Sequence, residues 1–431
     1  MVVELPAAVI DIDVADPLPA VAATGPDGCR VLRAWVLVRL FTEPLGTVLI
    51  DVPVAGLRPA ELAGAIDTEL GTALAPRLAE LGRTAVPIDG ITPVTEPAFL
   101  ARRRAVLDTA PPITVVICTR ERPDALARCL DSLLVQDYPD FRILVVDNAP
   151  VTDAAAEVVR SAARRGPVSY LTEPRAGLSF ARNAAVAAAQ GEILAWIDDD
   201  EYADVHWLAE VARALADHPE ADVVSGVIVP AELQTPAQLW FEQFGGHSKG
   251  RGFRPDVFSP ATARIQSPLY PLPPFGTGAN MTFRPGVIER IGGWDTALGA
   301  GTPAMGSEDT LMFTQVLLGG GTIVYQPTAV THHYHRRDLE GLRKQMVGYG
   351  TGLTAVYTSL LLKRPGLIWD LLKLAPAALR DLMGKDSLRV STLQDDFPRE
   401  LLGANRRGMV AGPRLYLKGR RVAGAKGRSG R

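Results

Sequence analysis

Residues 111–340 predict an α/β fold with a mostly parallel central sheet and helices on both faces. Short apolar runs recur about every 25 to 30 residues, and leucines between them repeat with the helical period of about 3.6 residues. Strands that alternate with crossover helices form a parallel sheet covered on both sides. The predicted strands are "ITVVICT" (113–119), "RILVVDNA" (142–149), "VSYLTEP" (168–174), "EILAWIDDD" (192–200) and "ADVVSGVIVP" (221–230).

The first 110 residues predict a separate α+β module. Residues 30–41 are rich in strand formers, a turn over 43–47 leads into a second apolar run, and an Ala/Leu-rich helical pattern covers 59–81. This order predicts a β-hairpin with a helix packed against it. It contains no catalytic constellation, so we expect a packing or partner-binding role. Residues 90–112 are interpreted as a connector.

The composition is that of a globular protein and gives no sign of a nucleic-acid-binding, zinc-knuckle or membrane-spanning protein. Of the 431 residues, 47% are hydrophobic and 22% are charged, which is ordinary for a globular chain. The formal net charge of −3 gives no general attraction to nucleic acid, and the three cysteines lack the C-x-x-C spacing of a zinc knuckle. No run reaches the ~18 apolar residues of a membrane span, and the N-terminal stretch lacks the pattern of a signal peptide. We therefore expect a cytoplasmic protein.

Polar residues stand where the predicted strands end. Ligands of parallel sheets bind beyond the carboxyl ends of the strands, so these residues are the first candidates for a site. Charged groups clustered at one edge of a sheet are costly unless they bind something. They are Thr119-Arg120, Asp147-Asn148, Glu173-Pro174-Arg175 and Asp198-Asp199-Asp200.

Four acids, Asp198 to Glu201, directly follow a buried apolar run. Such charges repel one another unless a cation lies among them, and Mg²⁺ and Mn²⁺ prefer carboxylate and phosphate oxygens. The sequence has no G-x-x-x-x-G-K-[ST] loop and no complete G-x-G-x-x-G. The pattern therefore predicts a divalent metal that carries a nucleotide diphosphate. The other interpretation is that the acids cap the following helix and face water.

The stretch 231–340 predicts the acceptor side of a cleft. Residues 231–275 lack clear periodicity and are interpreted as an irregular lining, and "GTGANM" at 276–281 supplies small residues for a close backbone approach. Glu308 and Asp309 open an apolar helix. They are either helix-capping acids or a carboxylate base on a mobile glycine loop.

Three histidines, His332, His333 and His335, follow a predicted strand over 322–330. Histidines in this position are metal ligands, anion contacts or surface residues, and the pattern alone leaves the three open.

The ordered set of motifs resembles the family 2 glycosyltransferases with the A-type nucleotide-sugar fold, over about residues 112–340. The resemblance implies an inverting, Mn²⁺- or Mg²⁺-dependent transfer of a sugar from a nucleotide-diphosphate sugar to a hydroxyl of a glycan, a lipid-linked or a small-molecule acceptor. The motifs that carry it are "VVICTRERPDALARCLDSLLVQDYP", "ILVVDNA", "EPRAGLSFARNAAVAAAQGEILAWIDDD", "GTGANMTFRP" and "GSEDTLMFTQVLLGGGTIVYQPTAVTHHYHR".

The resemblance also implies roles for single residues at the nucleotide. It implies that Asp147 accepts a hydrogen bond from the base and that Asn183 supports the diphosphate loop. The remaining residues implied at the nucleotide and diphosphate are Thr119, Arg120, Arg122, Arg175 and Gly177.

At the metal and the base, Asp198 and Asp200 match an Asp-x-Asp motif, the first toward the ribose and the last on the metal. A third acid, Asp199, fills the middle position, so the metal-binding carboxylate is open by one residue. The pair Glu308-Asp309 resembles the general base, with Asp309 as the base itself. His332 or His333 resembles the histidine that completes the metal site in some relatives.

Residues 341–431 predict a helical extension with a basic tail, since 401–431 carry nine Arg/Lys and no Asp or Glu. The stretch 351–431 is interpreted either as a peripheral contact with an anionic membrane surface, at the inner face of the cell membrane, or as helices packed on the catalytic domain with a free tail. Nucleic acid is not expected as a partner, because the tail lacks interleaved aromatic residues. A nucleotidyltransferase and an inactive carbohydrate-binding protein are the alternative functions.

Overall fold

The computed structural model describes residues 6–25, 28–248, 251–260, 269, 275–383, 393 and 396–429. The strands are β1 Ala7–Asp13, β2 Arg33–Leu40, β3 Glu43–Asp51, β4 Ile113–Thr119, β5 Phe141–Asn148, β6 Val168–Glu173, β7 Ile193–Asp198, β8 Glu201–Ala203, β9 Val223–Pro230, β10 Asp256–Phe258, β11 Asn280–Phe283 and β12 Ile323–His333. The helices are α1 Pro59–Glu80, α2 Ala98–Leu107, α3 Pro123–Leu133, α4 Ala154–Ala162, α5 Leu178–Ala188, α6 Trp207–Asp217, α7 Pro236–Gln243, α8 Val287–Arg290, α9 Glu308–Leu318, α10 Leu339–Lys363, α11 Ile368–Met383 and α12 Arg399–Ser429.

The central sheet has nine strands among the described residues, in the order β10-β12-β9-β11-β7-β4-β5-β6 with β8 paired to β12. Strands β4, β5, β6, β7, β9 and β12 run in one direction, and β8, β10 and β11 run against them. The α/β fold class with a mostly parallel sheet is confirmed. The antiparallel strands make the sheet mixed, and all of them lie outside the β7-β4-β5-β6 half.

Both faces of the sheet are covered. Side chains alternate along a strand, so Val115 and Ile117 of β4 join one core with α3, α4 and α6, while Val116 joins another with α5 and α9. This explains why the strands are continuous apolar runs rather than alternating ones. With both faces occupied by helices, the edge where the parallel strands end remains as the place for a ligand.

The N-terminal module is a three-stranded sheet with α1 packed on it. The predicted hairpin is β2 and β3, and β1 adds a parallel strand that the sequence analysis did not predict. Arg39 of β2 is 6% exposed and pairs with Asp11 and, at 2.8 Å, with Asp204 of the central sheet's edge. The module therefore docks beside β8 and β12, through a buried cation.

Two stretches expected to be irregular contain helices. The connector 90–112 includes α2, whose Arg103 forms a buried 2.7 Å ion pair with Glu210. In 231–275, α7 begins with a capping box between Thr235 and Gln238. A Thr-Pro-x-Gln start is a sequence signal for a helix, and it was overlooked because α7 is only two turns long. Residues 249–250, 261–268 and 270–274 of this stretch lie outside the described residues.

The C-terminal helices α10 and α12 pack with their backbones close together. A Cβ at Gly350 would collide with the carbonyl of Asn405, and one at Gly408 with the carbonyl of Val347. Among the described residues, no helix has the length and apolar character required to cross a membrane. The boundaries at 110 and 340 stay predictions.

Candidate active site

The three aspartates after β7 have different surroundings. Asp199 turns inward, where it is 5% exposed and accepts hydrogen bonds from Thr119 Oγ1 (2.7 Å) and from the Arg122 guanidinium (2.9 Å). Both of its carboxylate oxygens are therefore used by the end of β4 and the loop that follows. Thr119 and Arg122 are therefore hydrogen-bonded to the acid cluster itself.

Asp198 and Asp200 turn the other way. The Asp198 side chain is 38% exposed and its nearest cation, Arg182, is 3.7 Å away. Burial raises the pKa of Asp198 to about 6, and the neighbouring Asp200 and Asp199 add to the effect. Asp200 pairs with Arg122 at 3.0 Å and lies 3.5 Å from His333 Nε2. Burial opposes ionisation of Asp200, but His333 and Arg122 hold its pKa below the usual range.

This donor set fits a divalent cation. Among the described residues no side chain lies within hydrogen-bonding distance of the Asp198 oxygens, and Asp200 and the His333 imidazole offer an oxygen and a nitrogen 3.5 Å apart. Hard cations take carboxylate oxygens, and an imidazole is a common additional ligand. Asp199 is not assigned to the cation, because it is 5% exposed and its carboxylate lies against Thr119 and Arg122.

The two adjacent histidines face opposite directions because they alternate along β12. His332 stacks on Tyr202, with 4.3 Å between ring centroids, and burial lowers its pKa to about 4. The charges that act on it are those of Asp11 and Arg39 of the N-terminal module and of Asp204 at the edge of the central sheet. His333 faces Asp200. The structure thus brings His333, and not His332, to the acid cluster.

His333 also belongs to a group with His247 and His335, whose ligand atoms lie within 4.8 Å of one another. The sequence leaves His335 open as a metal ligand, an anion contact or a surface residue, and it gives His247 no role.

Arg182 is a central residue that the sequence analysis missed. It is 2% exposed, and it donates to Glu308 (3.0 Å) and to the carbonyl of Gly278 (3.0 Å). Its guanidinium lies over Trp294, 4.7 Å from the ring centroid. The signal was its helical position: it falls three residues before buried Ala185, on the apolar face of α5.

Glu308 and Asp309 are separated by their environment. Glu308 is 6% exposed, its partner is Arg182, and burial raises its pKa to about 7. Asp309 is half-buried; one oxygen accepts the Gly278 N–H (2.7 Å) and the other accepts the Thr310 N–H (2.7 Å). Asp309 is therefore the member of the pair that a solvent-borne hydroxyl can approach.

Asp147 ends β5 with one satisfied oxygen. The Tyr170 hydroxyl donates to its Oδ2 at 2.7 Å, while Oδ1 is buried and finds no hydrogen-bond partner among the described residues. Burial raises the pKa of Asp147. A buried acceptor without a donor is costly, so this oxygen is suited to an N–H from a ligand. Arg120 is exposed at the end of the neighbouring strand.

The loop before α5 is held tightly. Arg175 forms a bidentate pair with Glu173 (2.7 and 2.6 Å) and lies over the Phe180 ring. Gly177, with a φ of 139°, donates its N–H to Asn148 Oδ1 at 2.8 Å. The Arg175 guanidinium is thus engaged with its own loop, and the backbone there is kept rigid.

Asn183 holds the loop that contains Trp294. Its side chain donates to the Trp294 carbonyl and accepts from the Trp294 N–H, both at 2.9 Å. The residue therefore supports the ring on which Arg182 packs, rather than the loop before α5.

The model for glycosyl transferase family 2 matches residues 114–292, which contain β4 to β7 and the acid cluster. Residues 114–292 form a family 2 glycosyltransferase domain. The glucosyl-dolichyl phosphate glucuronosyltransferase of Haloferax volcanii is 23% identical over 197 residues, which cover 43% of this chain and 57% of that protein. The succinoglycan biosynthesis protein ExoM of Rhizobium meliloti is 28% identical over 226 residues, which cover 51% of this chain and 66% of that protein.

The chain thus spans less than two thirds of the length of these relatives of the family 2 domain. Among solved structures, the mannosyltransferase PcManGT from Pyrobaculum calidifontis in complex with GDP-Man and Mn²⁺ is 20% identical, with a TM-score of 0.42, over 77% of this chain and 83% of that chain.

Proposed function

We propose that the protein is an inverting, metal-dependent glycosyltransferase that moves a sugar from a nucleotide-diphosphate sugar to an acceptor hydroxyl. The observation that carries this proposal is that the three aspartates of the acid cluster have different partners. Asp199 is buried against Thr119 and Arg122, whereas Asp198 is 38% exposed and Asp200 lies 3.5 Å from His333, at a strand end within the family 2 domain. Two carboxylates kept close together at a strand end are stabilised by a bound cation.

Mn²⁺ or Mg²⁺, held by Asp198, Asp200 and His333, would neutralise the charge that develops on the leaving diphosphate. Asp147 and the exposed Arg120 are assigned to the nucleotide, because Asp147 Oδ1 is a buried acceptor that lacks a donor. Gly177 is assigned to the diphosphate side, where a Cβ would lie only 3.3 Å from the Phe180 ring.

Asp309 is assigned as the general base. It is half-buried, and its Oδ2 holds the Gly278 N–H, which fixes the direction of the carboxylate. Glu308 is assigned as the counter-charge of Arg182. In an inverting transfer the base takes the acceptor proton while the hydroxyl attacks the sugar from the face opposite the diphosphate.

The acceptor is proposed to be a glycan, lipid-linked or small-molecule hydroxyl. The two relatives described above are a glucosyl-dolichyl phosphate glucuronosyltransferase and a succinoglycan biosynthesis protein. The transfer is proposed to occur in the cytoplasm, at the inner face of the membrane.

The Asp200→Ala variant is expected to lose metal-dependent donor binding. A ligand at ~100 times its dissociation constant stabilises a protein by about 2.7 kcal/mol. We expect one nucleotide sugar from a panel to raise the melting temperature of the wild type only with Mn²⁺ present, and to have no effect on the variant. The measurement is thermal unfolding with and without Mn²⁺.

Asp140→Ala is the matched control, because Asp140 is exposed at the opposite end of β5 and should respond as the wild type does. Donor stabilisation of Asp200→Ala equal to that of the wild type would contradict the metal site. Release of pyrophosphate rather than a nucleoside diphosphate would favour the nucleotidyltransferase instead.

We also propose that α11 contacts an anionic membrane surface. Its inner side packs Leu371 and Leu374 against the C-terminal core, while Ile368, Trp369 and Leu372 are exposed, Trp369 by 68%. An apolar outer face flanked by cations is typical of interfacial helices. The flanking cations are Lys363, Arg364 and Lys373. Residues 384–392, 394–395 and 430–431 of this extension lie outside the described residues.

Replacing Trp369 and Leu372 together by serine is expected to weaken co-sedimentation with phosphatidylglycerol vesicles strongly, since about 25 cal/mol per Å² of apolar contact is lost. Val94→Ser, which changes an exposed apolar residue of the N-terminal module, should leave it unchanged. Equal sedimentation of both variants and the wild type would refute the membrane contact.

A further inference from the structure

The side of His333 that faces away from Asp200 is hydrogen-bonded in a chain. His333 Nδ1 lies 2.8 Å from His335 Nδ1, and His335 Nε2 lies 2.8 Å from Glu242 Oε1. His333 and His335 are 6% and 4% exposed. The chain therefore runs from a carboxylate on α7 through two buried imidazoles to the acid cluster.

The direction of these hydrogen bonds follows from the chemistry of the groups. An ionised carboxylate only accepts, so His335 donates its Nε2–H to Glu242. In a neutral imidazole the other nitrogen is then an acceptor, so His335 Nδ1 accepts the Nδ1–H of His333. The neutral form of His333, which is the form that binds a cation, then has its lone pair on Nε2, the nitrogen that lies 3.5 Å from Asp200 Oδ1.

Packing keeps the two rings in this arrangement. Phe241 meets the edge of His335 at 4.7 Å between centroids, and His247 meets His333 at 4.4 Å. Gly246, with a φ of 52°, leaves room for Glu242, since a Cβ at this position would collide with the carboxylate. Gly246 thus lies directly against the carboxylate that begins the chain.

We propose that Glu242 and His335 are positioning residues that fix the tautomer of His333, so that its Nε2 is the nitrogen presented to a divalent cation at Asp200. The inference rests on the proposed function, because it assumes a metal at Asp198 and Asp200. Outer partners of this kind orient a metal-binding histidine, and their loss typically costs about 10–100-fold in metal affinity. The same nitrogens are not assigned to a second metal, since the hydrogen bonds within the chain occupy them.

The test is the Mn²⁺ dissociation constant of the full chain, measured by isothermal titration calorimetry. Glu242→Ala and His335→Ala are each expected to weaken Mn²⁺ binding by about 10–100-fold. Glu242→Gln should recover most of this loss, because its amide oxygen still accepts the His335 N–H. His218→Gln is the matched control, since it removes a His–Glu pair on the surface and should bind Mn²⁺ as the wild type does.

A second readout separates positioning from general damage. At saturating Mn²⁺ the Glu242→Ala variant should regain the wild-type kcat, while the Mn²⁺ concentration for half-activation rises with the dissociation constant. A kcat that stays low at saturating Mn²⁺, with unchanged Mn²⁺ affinity, would overturn the proposal.

Asp200→Asn distinguishes the inference from the function on which it rests. Loss of Mn²⁺ binding in Asp200→Asn, with unchanged binding in Glu242→Ala and His335→Ala, would overturn the positioning role and keep the metal site. Unchanged binding in Asp200→Asn would overturn the proposed metal site as well. A second equivalent of bound Zn²⁺ that His247→Ala removes would show that the histidines hold a metal of their own, and would overturn the hydrogen-bonded chain.

Discussion

The Asp309→Asn variant is expected to bind the nucleotide-sugar donor as the wild type does but to turn over about 10²–10⁴-fold more slowly, the usual contribution of a general base. The amide is isosteric with the carboxylate, and its oxygen can still accept the Gly278 N–H that orients the side chain. What it lacks is the capacity to take a proton. Donor binding by calorimetry and single-turnover kinetics measure the two effects separately.

Asp124→Asn is the matched control. Asp124 occupies the second position of α3, as Asp309 does in α9, and it is exposed. Both substitutions weaken the interaction of an acid with a helix N-terminus, which is worth about 0.3–1 kcal/mol. If Asp309 only stabilises the helix, the two variants should show the same small stability loss and normal turnover, and the base assignment would be wrong.

The Arg182→Met variant is expected to lose about 3–5 kcal/mol of unfolding free energy, the usual cost of breaking a buried ion pair from one side. Its removal leaves Glu308 buried without its cation and takes the nearest positive charge from Asp198. Urea unfolding followed by tryptophan fluorescence measures the change, because Trp196 and Trp294 both lie against the guanidinium.

Arg104→Met provides the comparison. Arg104 pairs with Glu96 on the surface, with 71% of its side chain exposed, so its loss should cost between 0 and about 1 kcal/mol. Adding Glu308→Gln to Arg182→Met should recover part of the stability, because the second substitution removes the uncompensated charge. If the Arg182→Met and Arg104→Met variants had the same free energy of unfolding, the Arg182–Glu308 pair would contribute nothing to stability.

The strands of the catalytic half could be predicted because their signal is local. A strand buried on both faces is a continuous apolar run, and β4 lies at the predicted residues 113–119. Helix α7 was missed because it is only two turns long and is stabilised by a capping box and by packing on the C-terminal helices rather than by a long apolar period. Strand β1 is as long as β4, but Asp11 and Asp13 interrupt its apolar run.

The residues of the candidate site could be proposed from the sequence as a set, but their contacts could not. Strand ends converge at one edge of a parallel sheet, so Thr119, Asp147 and Asp198 were candidates before any geometry was known. Their hydrogen bonds depend on partners far along the chain, such as Thr119 to Asp199 across 80 residues. Arg182, whose partners come from α9 and the loop before β11, had no local signal beyond its place on a buried helix face.

By itself, the sequence determined the α/β architecture, the edge that carries the site and the acid cluster, since periodicity and strand-end chemistry are properties of neighbouring residues. The tertiary structure decided which groups remain available. In the folded chain Asp199 is hydrogen-bonded to Arg122, Glu308 is buried against Arg182, and His333 rather than His332 faces Asp200. The physical reason is that the direction and charge of a buried side chain depend on burial and on partners that only the folded chain brings within hydrogen-bonding distance.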